Sequence, residues 1–308
     1  MNSFFKSTIL SLTSFACASL ASAQFKIEET PGKHIDVLGP QGKQVARVMT
    51  AHDPSTPESL HETYKVYTHI FDPEGKAPIT KGAGGKFTHH RGIYIGWSKT
   101  KIGGSKQVDS WHMKGCVQVY QKIVSQEATD DHATLTVLIH WQTNDGDVFI
   151  KEERTQTFRR LKDSDGAYLM VDFHSDLTPT TADVELNGDP EHAGCQFRPS
   201  NEVVGNKSAK YLFHKDGLNL KKDKDLPWAA LSFQLGDKSY FVQHISSPTL
   251  PKGNTYSAYR DYGRFGAYFV TTVKKGETLN ADYRFIIGAG GLPSREASQK
   301  RFDESVEG

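Results

Sequence analysis

Cysteine is scarce in this sequence, and so are long apolar runs. Three cysteines occur among 308 residues, and Cys17 belongs to the N-terminal apolar run. Only Cys116 and Cys195 remain for the rest of the chain. Two thiols make no disulfide framework, so a disulfide and two buried free thiols both stay open. Beyond residue 23 no apolar stretch approaches the ~18 residues of a membrane-spanning helix, and we expect no transmembrane segment in the mature chain.

An excess of charge of one sign is also missing. Lys and Arg number 37 and Asp and Glu number 36, without the basic stripe that a nucleic-acid partner requires. We therefore expect no nucleic-acid partner. The chain has no phosphate-binding loop, no G-x-S-x-G nucleophile elbow and no H-E-x-x-H or C-x-x-C spacing. The sequence requires no cofactor, and it leaves open a divalent metal held by histidines.

The first 23 residues are typical of a secretory signal peptide. One early cation, Lys6, precedes an apolar run that ends in the small-x-small triplet ASA. Cys17 raises the alternative of a lipoprotein, but the place three residues before it holds Ser14 where an aliphatic residue is usual. We expect cleavage near Ala23 and a periplasmic or secreted protein of about 285 residues.

Strict alternation of apolar and polar residues predicts long strands. It is clearest at 133–141, 148–160 and 168–177. Further strands are predicted at 34–38, 43–49, 64–71, 92–97, 115–124, 182–187, 228–234, 239–245, 265–273 and 278–287. Asp-Gly and Gly-Asp pairs between these runs favour hairpins, and the one predicted helix covers 294–304.

This pattern predicts an all-β fold class, a large antiparallel β-sandwich that forms a single domain over residues 24–308 with few short helices. A large sandwich leaves one concave, solvated sheet face. Two polar rows suit such a face. They are Asp172, His174 and Asp176, and Glu153, Thr155, Thr157 and Arg159.

Four glycine-containing clusters mix His, Arg, Trp and Tyr. In the first, THHRGIYIGW at 88–97, Ile93, Ile95 and Trp97 share one face of a strand and Tyr94 takes the other. Loops of this composition often form sites on a rigid scaffold; the alternative is a set of solvated turns with ion pairs. We expect one shared pocket. The cluster residues are His89, His90 and Arg91; Asp109, Trp111 and His112; Glu191, His192, Gln196 and Arg198; and Tyr256, Tyr259, Arg260, Asp261, Tyr262 and Arg264.

The strings HHRGIYIGW, DSWH, EHAGCQFR and YRDYGRFGAYF resemble an exported bacterial family labelled "methane oxygenase PmoA" or a domain of unknown function. The resemblance spans about residues 33 to 290. The label implies a copper monooxygenase subunit, and the architecture is similar to the galactose-mutarotase supersandwich. The family motifs mark His89, His90, Arg91, Trp97, Trp111, His112, His192, Gln196, Arg198, Arg260, Tyr262 and Arg264.

We expect an exported carbohydrate-active enzyme that binds a sugar or a modified glycoside and either cleaves or epimerises it. His90 and His192 are the predicted acid/base pair, assisted by Arg91. Arg91, Arg198 and Arg260 would orient polar groups of the substrate, and Trp111 and Tyr262 would stack on its ring. The remaining substrate-binding candidates are His89, His112, Gln196 and Arg264.

Two other classes stay open. The first is a non-catalytic glycan-binding protein, in which the aromatic residues would matter and the histidines would not. The second is a copper or other metal oxidase that uses His89, His90, His112 and His192 as ligands.

Overall fold

Twenty strands in three antiparallel sheets and three short α-helices are formed by residues 24–163 and 165–307, which this computed structural model describes. The predicted fold class, a large antiparallel β-sandwich with few short helices, is confirmed. The predicted signal peptide lies outside the described residues.

The first sheet has eight strands in the order β1-β2-β3-β4-β5-β13-β18-β17. Their bounds are Lys26–Thr30 (β1), His34–Leu38 (β2), Gln44–Met49 (β3), Tyr67–Ile70 (β4), Ile93–Trp97 (β5), Ala193–Phe197 (β13), Phe265–Tyr268 (β18) and Thr255–Ser257 (β17). A 3-10 turn at Pro40–Gly42 connects β2 to β3.

The second sheet also has eight strands, in the order β14-β15-β16-β20-β11-β10-β9-β8. Their bounds are Lys210–Phe213 (β14), Trp228–Leu235 (β15), Lys238–Ser246 (β16), Leu279–Ala289 (β20), Ala167–Pro179 (β11), Val148–Arg160 (β10), His132–Thr143 (β9) and Cys116–Ala128 (β8). Five of these strands have eleven residues or more, and three of them, β9, β10 and β11, correspond to the long alternating runs.

A small third sheet and the helices complete the fold. The sheet has the order β19-β12-β6-β7, with bounds Thr271–Val273 (β19), Val184–Asn187 (β12), Lys99–Ile102 (β6) and Lys106–Val108 (β7). The helices are Pro57–Thr63 (α1), Glu202–Asn206 (α2) and Arg295–Glu307 (α3). None of the helices in the described residues has the length and apolar character needed to cross a membrane.

The hydrophobic core lies between the two large sheets. Trp97 of β5 faces Trp141 of β9 at 6.4 Å between ring centroids, and Phe197 of β13 faces Phe233 of β15 at 6.1 Å. These side chains are fully or almost fully buried, and each contributes about 1.5–3 kcal/mol through its removal from water.

One ion pair is buried in this core. Arg154 donates to Glu152 on the same strand, with Nε 2.7 Å from Oε1, and neither side chain is exposed. Trp141 and Ser175 also donate to the Glu152 carboxylate, each at 2.7 Å. The charge is therefore compensated on every side, as a buried carboxylate requires.

The two predicted polar rows lie on the outer, solvent-facing side of the second sheet. Their side chains point away from the core, while Val171 and Phe173 of the same strand point into it. Asp172 pairs with Arg284, and His174 with Asp282, across β11 and β20. Beside them Thr155 and Thr157 bond Thr136 and Thr134 of β9. These rows stabilise strand pairing on the outer face of the second sheet.

Other predictions have mixed outcomes. Cys116 in β8 and Cys195 in β13 are both buried and free, so of the two alternatives the structure has the unpaired thiols. The predicted strand 265–273 is divided into β18 and β19, and the first residues of the predicted strand 64–71 follow α1 and precede β4.

Candidate functional site

Three neighbouring strands of the first sheet bring three of the polar clusters together. β13 lies between β5 and β18, and Phe197 is opposite both Ile93 and Phe265. The residues just outside these pairs, His90, Arg198 and Arg264, therefore lie at the same end of the three strands. His192 precedes β13 and so lies at its other end.

The remaining cluster, which contains Asp109, Trp111 and His112, lies across the outer face of β5. As predicted, Ile93, Ile95 and Trp97 point into the core and Tyr94 points outward. Gly96 also faces outward, and a Cβ there would come within 2.3 Å of the Ser110 carbonyl oxygen. Glycine thus lets the 109–113 turn rest directly on the strand, which packs the Trp111 ring 4.7 Å from that of Tyr94.

Four imidazoles form a continuous cluster on this face. The ring centroids of His89 and His90 are 4.4 Å apart, those of His89 and His112 4.4 Å, and those of His112 and His192 5.1 Å. Both His89 and His90 precede the first residue of β5, so the alternation of a strand does not send them to opposite faces.

Two of the imidazoles are held by an aspartate three residues earlier. His112 Nδ1 lies 2.7 Å from Asp109 Oδ2, and His192 Nδ1 lies 3.0 Å from Asp189 Oδ1. Each aspartate also accepts a backbone N–H of its own turn. A carboxylate at Nδ1 favours the tautomer that leaves Nε2 unprotonated, and both rings are partly exposed, at 23% and 31%. Nε2 of His112 and Nε2 of His192 are therefore the ring nitrogens left to contact a substrate.

The other two imidazoles are neutral and lie deeper. Burial lowers the pKa of His89 to about 2, with further contributions from His112 and Lys65. Burial, with the Arg198 charge, lowers the pKa of His90 well below its ordinary value. The Nε2 atoms of both rings are buried without a hydrogen-bond partner among the described residues.

The Arg198 guanidinium forms the floor of the site. The residue is 2% exposed, and its guanidinium carbon lies 5.5 Å from the Trp111 ring centroid. Nη1 donates to the Phe197 carbonyl at 3.2 Å, whereas Nε and Nη2 have no acceptor in the part of the chain that is described. Burial lowers the pKa of Arg198 to about 10. This value is still well above neutral pH, so the guanidinium is charged there.

Lys65 is a second buried basic residue, which sequence reasoning did not select. Burial lowers the pKa of Lys65 well below its ordinary value. Its Nζ donates to the carbonyls of Trp111 at 2.6 Å and His89 at 3.1 Å. It also lies 4.1 Å from the Tyr94 ring centroid. Lys65 therefore joins the two loops that carry the imidazoles.

Two predicted arginines are engaged elsewhere. Arg91 is fully buried and donates to the carbonyls of Thr88, His90 and His61, which fixes the loop that contains His89 and His90. Arg260 is 47% exposed and pairs with Glu191. Neither guanidinium faces the imidazole cluster.

The remaining predicted residues lie in or beneath the site. Arg264 pairs with Glu191, beside His192. Gln196 is fully buried and donates to the Ala193 carbonyl at 2.8 Å. Trp111 is fully buried between Tyr94 and Arg198, so its ring supports the site and offers no open stacking face. Tyr262 is half-buried and contacts the Phe87 ring at 4.9 Å.

Sequence reasoning missed Asp189 and Lys65, and it placed Asp109 in a polar cluster without giving it a role. The spacing D-x-x-H occurs before both partly exposed imidazoles, at 109–112 and 189–192, and this repeat was the available signal. Within residues 24–163 and 165–307 no group of three or more His, Cys, Asp or Glu side chains is placed to hold a metal ion.

Comparisons with known proteins give a family and weak structural similarities. The model of a family of unknown function, DUF6807, matches residues 37–303. No curated protein sequence matches the chain.

Three solved structures are similar over 85% of this chain. They are a heparan sulfate lyase mutant from Pedobacter heparinus (9% identity, TM-score 0.44, 36% of its chain covered), a putative kojibiose phosphorylase from human microbiome (9%, 0.33, 32%) and a putative aldose 1-epimerase from Escherichia coli K12 (8%, 0.33, 99%). The chain spans about a third of the length of the first two. These similarities assign no activity to it.

Proposed function

We propose that this protein, which belongs to DUF6807, a family of unknown function, is an exported carbohydrate-active enzyme. It cleaves a glycosidic bond by acid–base catalysis. One observation carries the proposal: two aspartate-held imidazoles, His112 and His192, lie side by side, and His89 next to them is within electrostatic reach of the buried Arg198 guanidinium, which has free donors. An imidazole that is oriented by a carboxylate is a common general acid or base in enzymes.

The arrangement suits proton removal from a carbon next to a carbonyl group. His192 takes this proton at Nε2, and the electrons of the C–H bond form a C=C bond while the glycosidic C–O bond breaks. His112 enters this step protonated at both ring nitrogens and delivers its Nε2 proton to the leaving oxygen, so no water is consumed. After the products leave, the proton gained by His192 replaces the one lost by His112. Arg198 stabilises the negative charge that develops on the carbonyl oxygen.

Two features select among the sequence-based alternatives. His112 replaces His90 as the partner of His192, because His112 is partly exposed and adjacent to it, whereas His90 is 2% exposed. The two rings lie side by side at 5.1 Å. This suits two proton transfers on one face of a sugar ring better than epimerisation, in which proton removal and return take place on opposite faces.

The test is a screen of the chain from residue 24 against neutral disaccharides, uronate-containing disaccharides and 3-keto-glycosides, with mass detection of the products. Elimination gives fragments whose masses add up to that of the substrate, whereas hydrolysis adds the mass of one water. We expect elimination, and we expect His192→Gln and His112→Gln each to lower kcat by about 10²–10⁴-fold. His140→Gln, on the outer face of the second sheet, is the matched control and should retain full activity.

Other outcomes separate the alternatives. Binding of a glycan without any product, unaffected by His192→Gln, would identify a glycan-binding protein. Loss of activity on dialysis against EDTA, restored by copper or another metal, would favour the metal enzyme that the oxygenase label implies. The proposed proton transfers need no metal, so we expect activity to survive dialysis.

A further inference from the structure

The unsatisfied polar atoms at the floor of the site are mostly hydrogen-bond donors. Within the described residues, Arg198 Nε and Nη2, Arg264 Nε, Trp111 Nε1 and Tyr94 Oη are buried and have no partner. They belong to one patch: the guanidinium of Arg198 lies over Trp111, Trp111 packs on Tyr94, and Arg264 precedes the strand next to Arg198.

The chemistry of these atoms defines what complements them. Arginine and tryptophan side chains can only donate, so their missing partner must accept several hydrogen bonds. Charge adds a second condition. Arg198 forms no ion pair in the part of the chain that is described; its only polar contacts there are carbonyl oxygens. Buried cations in native proteins are normally paired, so the complementary group is an anion.

We infer that the substrate is a uronate, a sugar whose carboxylate binds the Nε and Nη2 donors of Arg198. This inference rests on the proposed function, because it identifies the carbonyl group next to the proton that His192 removes. The planar guanidinium matches a carboxylate with two parallel hydrogen bonds. A sulfate or phosphate ester would satisfy the donors too, but it would not acidify the neighbouring C–H bond.

Two aromatic side chains lie beside this floor, next to His90 and Arg264. Phe87 packs against Tyr262 at 4.9 Å and against His90 at 5.2 Å. The backbone of Phe87 has a φ of 54°, in the region that non-glycine residues seldom adopt. Since the Arg198 donors are buried, a carboxylate reaches them only when neighbouring side chains move.

The experiment measures the binding of three matched ligands by calorimetry: methyl glucuronide, methyl glucoside and a methyl 3-keto-glucoside. Wild-type protein should bind the glucuronide at least tenfold more tightly than the glucoside, and Arg198→Gln should abolish the difference. Arg284→Gln, on the outer face of the second sheet, is the control and should leave all three affinities unchanged. If Arg198→Gln does not fold, the wild type still provides a test, because rising salt should weaken the binding of the glucuronide alone.

The outcomes separate this inference from the proposed function. Equal affinity for glucuronide and glucoside, or cleavage of keto-glycosides but not uronides, would overturn the uronate inference and leave the proposed enzyme standing. If no glycoside binds or reacts, the proposed function fails. Acetate would then test the anion site alone. A rise in the melting temperature of the wild type but not of Arg198→Gln would support it, and no rise would overturn it.

Discussion

At the scale of single residues, two buried arginines of this protein have opposite surroundings. Arg154 shares the core with Glu152, which receives four hydrogen bonds. Arg198 is equally buried, but its only acceptors among the described residues are carbonyl oxygens. A buried pair that loses one partner is destabilised, whereas an unpaired buried charge that is replaced by an apolar side chain removes a cost.

This contrast predicts opposite effects of the same substitution. Arg154→Met should lower the free energy of unfolding by about 3–5 kcal/mol, because it leaves the Glu152 carboxylate buried without its cation. Arg198→Met should leave the free energy of unfolding unchanged or raise it by about 1–3 kcal/mol, while it abolishes uronate binding. Urea unfolding of both variants measures the effects. A loss of stability in Arg198→Met as large as that in Arg154→Met would assign Arg198 a structural role.

At the scale of the elements, the sequence predicted best those strands that have one polar face. The bounds predicted for β2 and β10 match the structure, because alternation along a half-buried strand is visible in the residues themselves. The sequence did not predict β13, whose five residues are all buried. Loops cover its outer face, so its pattern AGCQF carries no alternation. The site depends on β13, so the sequence alone did not show which strands bring its residues together.

The polar row of the second sheet gives a pH-dependent prediction. Hydrogen bonds that His174 donates to the carboxylates of Asp282 and Asp176 raise the pKa of His174 from 6.5 to about 9. A raised pKa in the folded state means that protonated His174 stabilises fully below pH 6.5 and that this contribution is lost as the pH rises to about 9.

The measurement compares wild type with His174→Asn by urea unfolding across this range. The stability difference between the two should be constant in acid and should shrink above pH 6.5. His140→Asn, from the same sheet face, should show no such change. A difference that stays constant up to pH 9 would show that His174 is not held by these carboxylates.

At the scale of the whole molecule, buried neutral histidines govern the response to acid. Burial lowers the pKa of His69 to about 4, that of His89 to about 2 and that of His244 to about 3. Each of these groups ordinarily titrates near 6.5, so unfolding takes up protons below this pH. Stability should therefore fall as the pH decreases from 6.5, by up to about 1.4 kcal/mol per pH unit for each such histidine.

The check is the free energy of unfolding of the wild type and of His244→Asn between about pH 4.5 and 6.5. The variant should have a slope about 1.4 kcal/mol per pH unit shallower. An unchanged slope would mean that His244 takes up its proton without unfolding.

Side chains of β13 point alternately into the core and onto the outer face, although both faces are buried. This geometry limits how the protein can evolve. Ala193, Cys195 and Phe197 pack into the core, while Gln196 and Arg198 belong to the outer face. Deletion of one residue within the strand would exchange the two sets and place a guanidinium between the sheets. New specificities can therefore arise through point substitutions on the strand or through length changes in the loops around it. The register of the strand itself must stay the same in every variant that folds.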